Sequence, residues 1–174
     1  MEQQVISNSL REKVIATVER TEHLVSLVPA DRLNWRPSTT NGSIQVSDLG
    51  HLLGHLLDCL AGFCAVFYTA FPAELASLAE LRSARVNHSC HPEEWRARVK
   101  IYRSAIDAGF QQCADKDLSR LAKTVFRPEG QTVASLLFGN LEHLINHKYQ
   151  LFFYLKILGV PVGTQDLYDS QGKS

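Results

Sequence analysis

The stretch LEHLINHKYQLFFYL, residues 141–155, decides the expected fold because it reads as one uninterrupted helix. It contains His143 and His147, and a spacing of four residues places both imidazoles on the same side of a helix. Neutral imidazole is the commonest protein ligand of borderline divalent ions. Two such rings make half of a metal site, so the remaining ligands must come from elsewhere in the chain.

A second histidine pair with the same spacing lies in DLGHLLGHLLDC, residues 48–59, which also has helical periodicity. This pair is His51 and His55, and a polar line continues from it to Asp58. The line from the first pair continues in the same way to Gln150 and Tyr154. A single histidine on such a helix is usually hydrogen-bonded within the core. Two aligned pairs with polar neighbours favour a metal site between two facing helices.

Turn and capping signals divide the chain into long helices. We expect these helices at about residues 8–28, 48–70, 92–113 and 132–158. A short extra helix is expected in AELASLAEL, a local strand in KTVF and a turn at RPEG. The pattern predicts an all-α fold, a four-helix bundle with a short extra helix and long loops.

Composition restricts the function classes. The 174 residues, 45% of them hydrophobic, fit a single domain over 1–174 with a flexible tail from about residue 163. Basic and acidic residues number 18 each, so no net field attracts nucleic acid. The start lacks an apolar signal core, and no run approaches the roughly 18 apolar residues of a membrane helix. We therefore expect a cytoplasmic protein with neither nucleic-acid nor membrane partners.

Cysteine spacing argues against a disulfide framework or a zinc ribbon. The four cysteines are Cys59, Cys64, Cys90 and Cys113, and none forms a Cys-x-x-Cys pair. We expect free thiols; Cys59, four residues beyond His55, is either a small core residue or a thiolate ligand. The segment NHSCHP contains His88, Cys90 and His91, but its frame is too short for a closed metal site by itself. It is expected to be a loop, with a place at a pocket rim as the alternative.

Three motifs resemble the DinB-like superfamily of four-helix metal proteins, which includes bacterial low-molecular-weight-thiol S-transferases. LNWRP at 33–37 resembles the family's Trp-x-Pro entry to the second helix, and LGHLLGHLLD at 49–58 resembles its first-ligand motif. HLINHKYQLFFYLKILGVPV at 143–162 resembles its His-x-x-x-His-[basic]-x-Gln helix and Leu-Gly-Val-Pro ending. The motifs span most of the chain.

The resemblance implies a three-histidine site for a divalent metal ion, with zinc and nickel as the leading identities. Its ligands would be His55, His143 and His147. His55 is favoured because a glycine precedes it by five residues and an acid follows by three, whereas His51 better suits the distance from Trp35. His51 is thus the alternative ligand or a pocket-lining residue. Candidates for orienting the ligands or the substrate are Asp58, Asn146 and Gln150.

Two functions follow from the implied site. The first is a metal-dependent hydrolase or thiol S-transferase acting on a small molecule, because three imidazoles leave a position open for water or a thiol. The second is a non-catalytic metal-binding or stress-related interaction protein, which would show a fourth protein ligand or a sealed cavity. A small-molecule or thiol substrate and a homodimer are the partners expected.

Overall fold

The computed structural model describes residues 4–38, 46–83, 88–124 and 127–168. The helices are α1 (Val5–Ser26), α2 (Leu49–Ala70), α3 (Leu78–Ser83), α4 (Pro92–Gln112), α5 (Val133–Ile157) and α6 (Thr164–Tyr168). Two strands, β1 (Leu121–Thr124) and β2 (Arg127–Thr132), pair antiparallel between α4 and α5. The predicted all-α bundle with four long helices is confirmed.

Each of α1 and α2 packs against both α4 and α5, so α1 and α2 occupy diagonal corners of the bundle. The core between them is made mainly of the apolar face of α2, on which Leu53, Leu56, Leu60 and Phe63 are fully buried. Close packing of α2 on α4 requires Gly109, since a Cβ there would collide with the Phe67 ring. These contacts leave α2 and α5 adjacent, as the histidine pattern requires.

By length and composition α2 could span a membrane, yet 67% of its most apolar window is buried inside the bundle. The N-terminus of α2 is also capped by a side chain, that of Asp48. The Asp48 carboxylate accepts the backbone N–H of His51 at 2.9 Å, which satisfies one of the unpaired donors of the first turn. These features are typical of a core helix.

Several local expectations differ from the structure. Helix α1 begins three residues earlier than predicted and ends at Ser26, before Pro29. Lys123 and Thr124 of the predicted KTVF strand lie in β1, and residues 125–126 lie outside the described residues. RPEG lies within β2 rather than in a turn. The periodicity of the sequence could not predict β2, because this short polar segment forms a strand only by pairing with β1.

The segment after α5 is described as far as Tyr168 and contains the short helix α6. Gly159 follows the helix with φ +80°, the left-handed conformation that a glycine at a helix C-terminus supplies. Leu167 of α6 is buried, and the Lys148 ammonium donates to the Leu167 carbonyl at 3.1 Å. The remainder of the predicted tail, 169–174, and part of the loop before α2, 39–45, lie outside the described residues.

Candidate metal centre

Three histidine rings from two helices converge on one point. The Nε2 atom of His55 lies 3.1 Å from Nε2 of His143 and 3.1 Å from Nε2 of His147. The rings meet edge to face, with the centroids of His143 and His147 4.7 Å apart. The structure therefore brings together the three residues that the sequence resemblance assigned to one site.

Helix geometry explains the convergence. One turn of α5 separates His143 from His147, so both rings leave the helix on the side that faces α2. Across the interface, the His55 side chain is 28% exposed and lies between the buried leucines of α2 and solvent. His143 is the most exposed of the three, so the cluster is open to solvent on its side.

A chain of hydrogen bonds fixes the tautomer of His147. The carbonyl oxygen of Ser47 can only accept, so the Tyr154 hydroxyl donates to it at 3.0 Å. Gln150 Nε2 in turn donates to that hydroxyl oxygen at 3.0 Å, which orients the Gln150 amide with Oε1 toward His147. Oε1 accepts from Nδ1–H of His147 at 2.9 Å. Nε2 of the neutral ring is therefore left unprotonated and directed at the cluster.

His55 has a looser partner, since its Nδ1 lies 3.8 Å from a carboxylate oxygen of Asp58. Burial lowers the pKa of His55, with further lowering by the charges of His147 and His143, while Asp58 acts in the opposite direction. Burial and His147 likewise lower the pKa of His143. The neutral forms of His55 and His143 are thus favoured, and neutral imidazole is the form that coordinates metal.

The donor set fits a divalent cation. In a tetrahedral zinc site with nitrogen ligands about 2.0–2.1 Å from the ion, the ligand atoms are roughly 3.3 Å apart. The two nitrogen separations of 3.1 Å are close to that value. A direct His55–His147 hydrogen bond would need a proton at Nε2 of one ring, and the Gln150 contact places the His147 proton on Nδ1. His55 can donate from its own Nε2, but one proton serves only one of its two 3.1 Å contacts, whereas a shared cation accepts a lone pair from each of the three rings.

Cys59 lies beside this cluster. Its Sγ is within 4.8 Å of ligand atoms of His55 and His143, as the sequence alternative allowed. The thiol is buried, and burial together with Asp58 raises its pKa to about 12. Without a cation the thiol is therefore neutral and packs as a small core residue.

The remaining predicted site residues lie around the cluster rather than in it. His51 is 53% exposed, and its Nδ1 lies 2.8 Å from the Asp48 carboxylate that caps α2. His51 also lines a cavity of about 320 Å³ together with Arg36, Val46, Ser47 and Asp48. Asn146 is exposed, and among the described residues no hydrogen bond joins it to the three rings.

Sequence reasoning placed Tyr154 on the polar line of α5 but did not assign it a role in orienting Gln150. Tyr154 was visible as a polar residue four positions after Gln150 on the same face of the helix. Its acceptor, the Ser47 carbonyl, is 107 residues away in the chain and carries no side-chain signal. Only the tertiary structure places that backbone group at the end of the polar line.

A known protein has the same overall architecture. The crystal structure of YjoA, a DinB-like protein from Bacillus subtilis, is similar to 88% of this chain and 96% of that chain, with a TM-score of 0.63 and 19% sequence identity. No protein-family model and no curated protein matches the sequence. At 19% sequence identity, the likeness shows a shared fold and nothing beyond it. The chain therefore has the DinB-like fold that its three motifs predicted.

Proposed function

We propose that the protein binds one divalent cation through Nε2 of His55, His143 and His147 and acts as a metal-dependent enzyme on a small electrophile. The observation that carries this proposal is that the Nε2 atoms of His143 and His147 each lie 3.1 Å from Nε2 of His55. A cation held by three imidazoles supplies Lewis acidity and lowers the pKa of a water or thiol nucleophile.

The side chains around the cluster prepare it for this task. Gln150 holds the His147 proton on Nδ1, and the Tyr154 hydroxyl holds Gln150 in place, so the His147 ring does not need to reorient. The exposed edge at His143 and the adjacent position of His51 leave room for a substrate. The Asp58 side chain is 45% exposed, and a carboxylate oxygen lies 3.8 Å from His55 Nδ1. A small movement of Asp58 would let it accept a hydrogen bond from the Nδ1–H of His55.

Two reactions suit such a site, namely hydrolysis and transfer of a thiol. In thiol transfer the sulfur–carbon bond forms as the carbon–leaving-group bond breaks, and the thiol proton passes to solvent. In hydrolysis a water oxygen replaces the thiol sulfur. Both need a small electrophile and neither needs a redox partner.

A non-catalytic metal protein is the competing function, and Cys59 is the observation that favours it. Its Sγ is close enough to His55 and His143 to become a fourth ligand, which would close the site. Cobalt(II) distinguishes the two functions, because a thiolate ligand gives a near-ultraviolet charge-transfer band. The enzyme proposal expects the spectrum of the histidine site to be unchanged by Cys59→Ser.

Metal analysis tests the ligand set directly. Protein loaded with zinc and freed of excess ion should lose one ion per chain in each of His55→Ala, His143→Ala and His147→Ala. His51→Ala is the matched control, a histidine one turn away on α2 whose removal should leave the metal content unchanged. Equal metal content in wild type and the three variants would refute the site, and loss in His51→Ala would refute the assignment of His55.

Turnover is tested on the loaded protein. A small thiol with an alkylating electrophile and, separately, an activated ester should show a rate above background that disappears in His143→Ala. Metal binding without turnover of either substrate class would favour the non-catalytic function.

A further inference from the structure

A second group of ligand-type side chains lies at the N-terminal end of α4. His88 and Cys90 come from the loop before the helix, and Glu94 comes from its first turn. One ligand atom from each residue lies within 4.8 Å of the other two. The loop alone offered too short a frame, and Glu94 supplies the third donor from a rigid element.

The backbone holds Cys90 firmly. Its N–H donates to the carbonyl of Gly50 at 2.9 Å, which anchors the loop on the first turn of α2. Gly50 permits this approach because a Cβ there would collide with the Ser89 hydroxyl. Cys90 is fully buried, so the position of its sulfur is set by packing.

Hydrogen bonds account for only part of this group. Nε2 of His88 lies 2.9 Å from Glu94 Oε1, and Arg98 Nη1 donates to the same oxygen at 3.2 Å. Nδ1 of His88 is buried and has no hydrogen-bond partner among the described residues. The Cys90 thiol donates to the His91 carbonyl at 3.4 Å and also interacts with the Glu94 carboxylate. These contacts account for Glu94, for Nε2 of His88 and for the Cys90 proton, and they leave the buried Nδ1 of His88 without a partner in the described part of the chain.

We propose that His88, Cys90 and Glu94 form a second site for a zinc-type divalent cation, separate from the three-histidine cluster. Thiolate, imidazole and carboxylate are the three ligand classes that zinc accepts together. The two anionic donors balance the charge of the ion. A carboxylate has lone pairs for both Arg98 and a cation, so that ion pair can persist.

Small movements complete the geometry. Ligand atoms in a tetrahedral site with one sulfur are roughly 3.3–3.6 Å apart. The ligand atoms of this group lie within 4.8 Å of one another, so their separations need to change by no more than about 1 Å. The side chains of His88 and Glu94 are 21% and 41% exposed and can move, whereas the buried Cys90 stays fixed. Binding forms the metal–sulfur bond and releases the thiol proton to water, so the affinity of this site should rise with pH.

Cobalt(II) titration of metal-free protein tests the proposal. The wild type should bind two ions per chain, and the triple variant with His55, His143 and His147 all replaced by alanine should bind one. That remaining ion should show the thiolate-to-cobalt band. Cys90→Ser in the triple variant should remove the band and weaken binding at least about tenfold.

Matched controls identify the sulfur and the histidine. Cys59→Ser must keep the band, which excludes the cysteine beside the three histidines. His91→Ala must keep it too, since His91 is exposed and its Nδ1 accepts the Glu93 N–H at the start of α4. If Cys90→Ser unfolds the protein, His88→Ala, at a partly exposed position, provides the same test with the sulfur intact. No thiolate band in the triple variant, or a band that persists in Cys90→Ser, would overturn the proposal, whatever the outcome at the histidine cluster.

Discussion

Replacing Gln150 tests whether the hydrogen-bond chain sets the metal affinity of the three-histidine cluster. Gln150→Leu removes the acceptor of the His147 Nδ1 proton, a contact of 2.9 Å, and keeps a similar side-chain size. Gln150→Glu keeps an oxygen acceptor at the same place but cannot donate to Tyr154. The two variants therefore separate orientation of His147 from the integrity of the whole chain.

The expected magnitude follows from the hydrogen bonds that each variant removes. A neutral hydrogen bond contributes about 0.5–1.5 kcal/mol, and loss of a residue that orients a ligand typically lowers metal affinity about 10–100-fold. We expect Gln150→Leu to fall in that range, about 1.4–2.8 kcal/mol. Gln150→Glu should bind zinc as well as wild type or better. Tyr154→Phe acts one bond further away and should weaken binding less than about tenfold.

Competition with a chromophoric chelator measures these affinities for zinc. All of these proteins should also carry Cys90→Ser, so that the measured zinc affinity is that of the histidine cluster alone. Thermal unfolding of the metal-free variants checks that each remains folded. Equal affinities for wild type, Gln150→Leu and Gln150→Glu would refute the role assigned to this chain, and so would a larger loss in Tyr154→Phe than in Gln150→Leu.

Three further predictions concern stability. Gly109→Ala places a Cβ against the Phe67 ring and should destabilise the fold by about 1–3 kcal/mol in urea denaturation, whereas Gly139→Ala, in open space on α5, should stabilise it by up to about 1 kcal/mol. Asp48→Ala removes the cap of α2 and should cost about 0.5–2 kcal/mol by the same assay, with Asp31→Ala, exposed outside the helix, as a neutral control. The hydrogen bond from the Gly163 N–H, and after it the one with His23, lowers the pKa of Asp166. The ionised Asp166 therefore stabilises the fold at pH values above its unfolded pKa near 3.8, and this stabilisation is lost as the pH falls through the lower folded pKa. Asp166→Asn should lack this pH-dependent contribution. Because Asp166 is partly exposed, acid titration of the unfolding free energy should show a difference below about 1 kcal/mol.

The fold was predictable because the information is local. Apolar spacing along each helix, Pro92 at a first helical position and Gly159 after the last one define the elements without reference to tertiary contacts. The strand β2 was misjudged because its order depends on pairing with β1. His23 shows the same limit. Its position off the apolar stripe of α1 predicts a solvent-facing side chain, yet its Nε2 lies 2.7 Å from a carboxylate oxygen of Asp166 in α6.

The choice between His51 and His55 shows what helical periodicity leaves open. Both residues lie on one face of α2, so a single rotation of the helix about its axis turns both rings toward α5. Only the position of α2 along its axis, a difference of about 6 Å over four residues, decides which ring meets His143. That position depends on contacts remote in sequence, among them the acceptance of the Leu49 and Gly50 N–H groups by loop carbonyls. The residue pattern therefore identified the face, and the loop contacts selected the ring.

The same loop reaches the cluster from the other side. The Trp35 carbonyl accepts the N–H of Leu49, and the Trp35 ring packs edge-on against Tyr154 with centroids 5.5 Å apart. Tyr154 in turn holds Gln150 and, through it, the His147 ring. One loop thus positions His55 by fixing the start of α2 and orients His147 through Tyr154. Because both ligand-bearing helices depend on it, a change at Trp35 should disturb the cluster more than its distance in sequence from any histidine suggests.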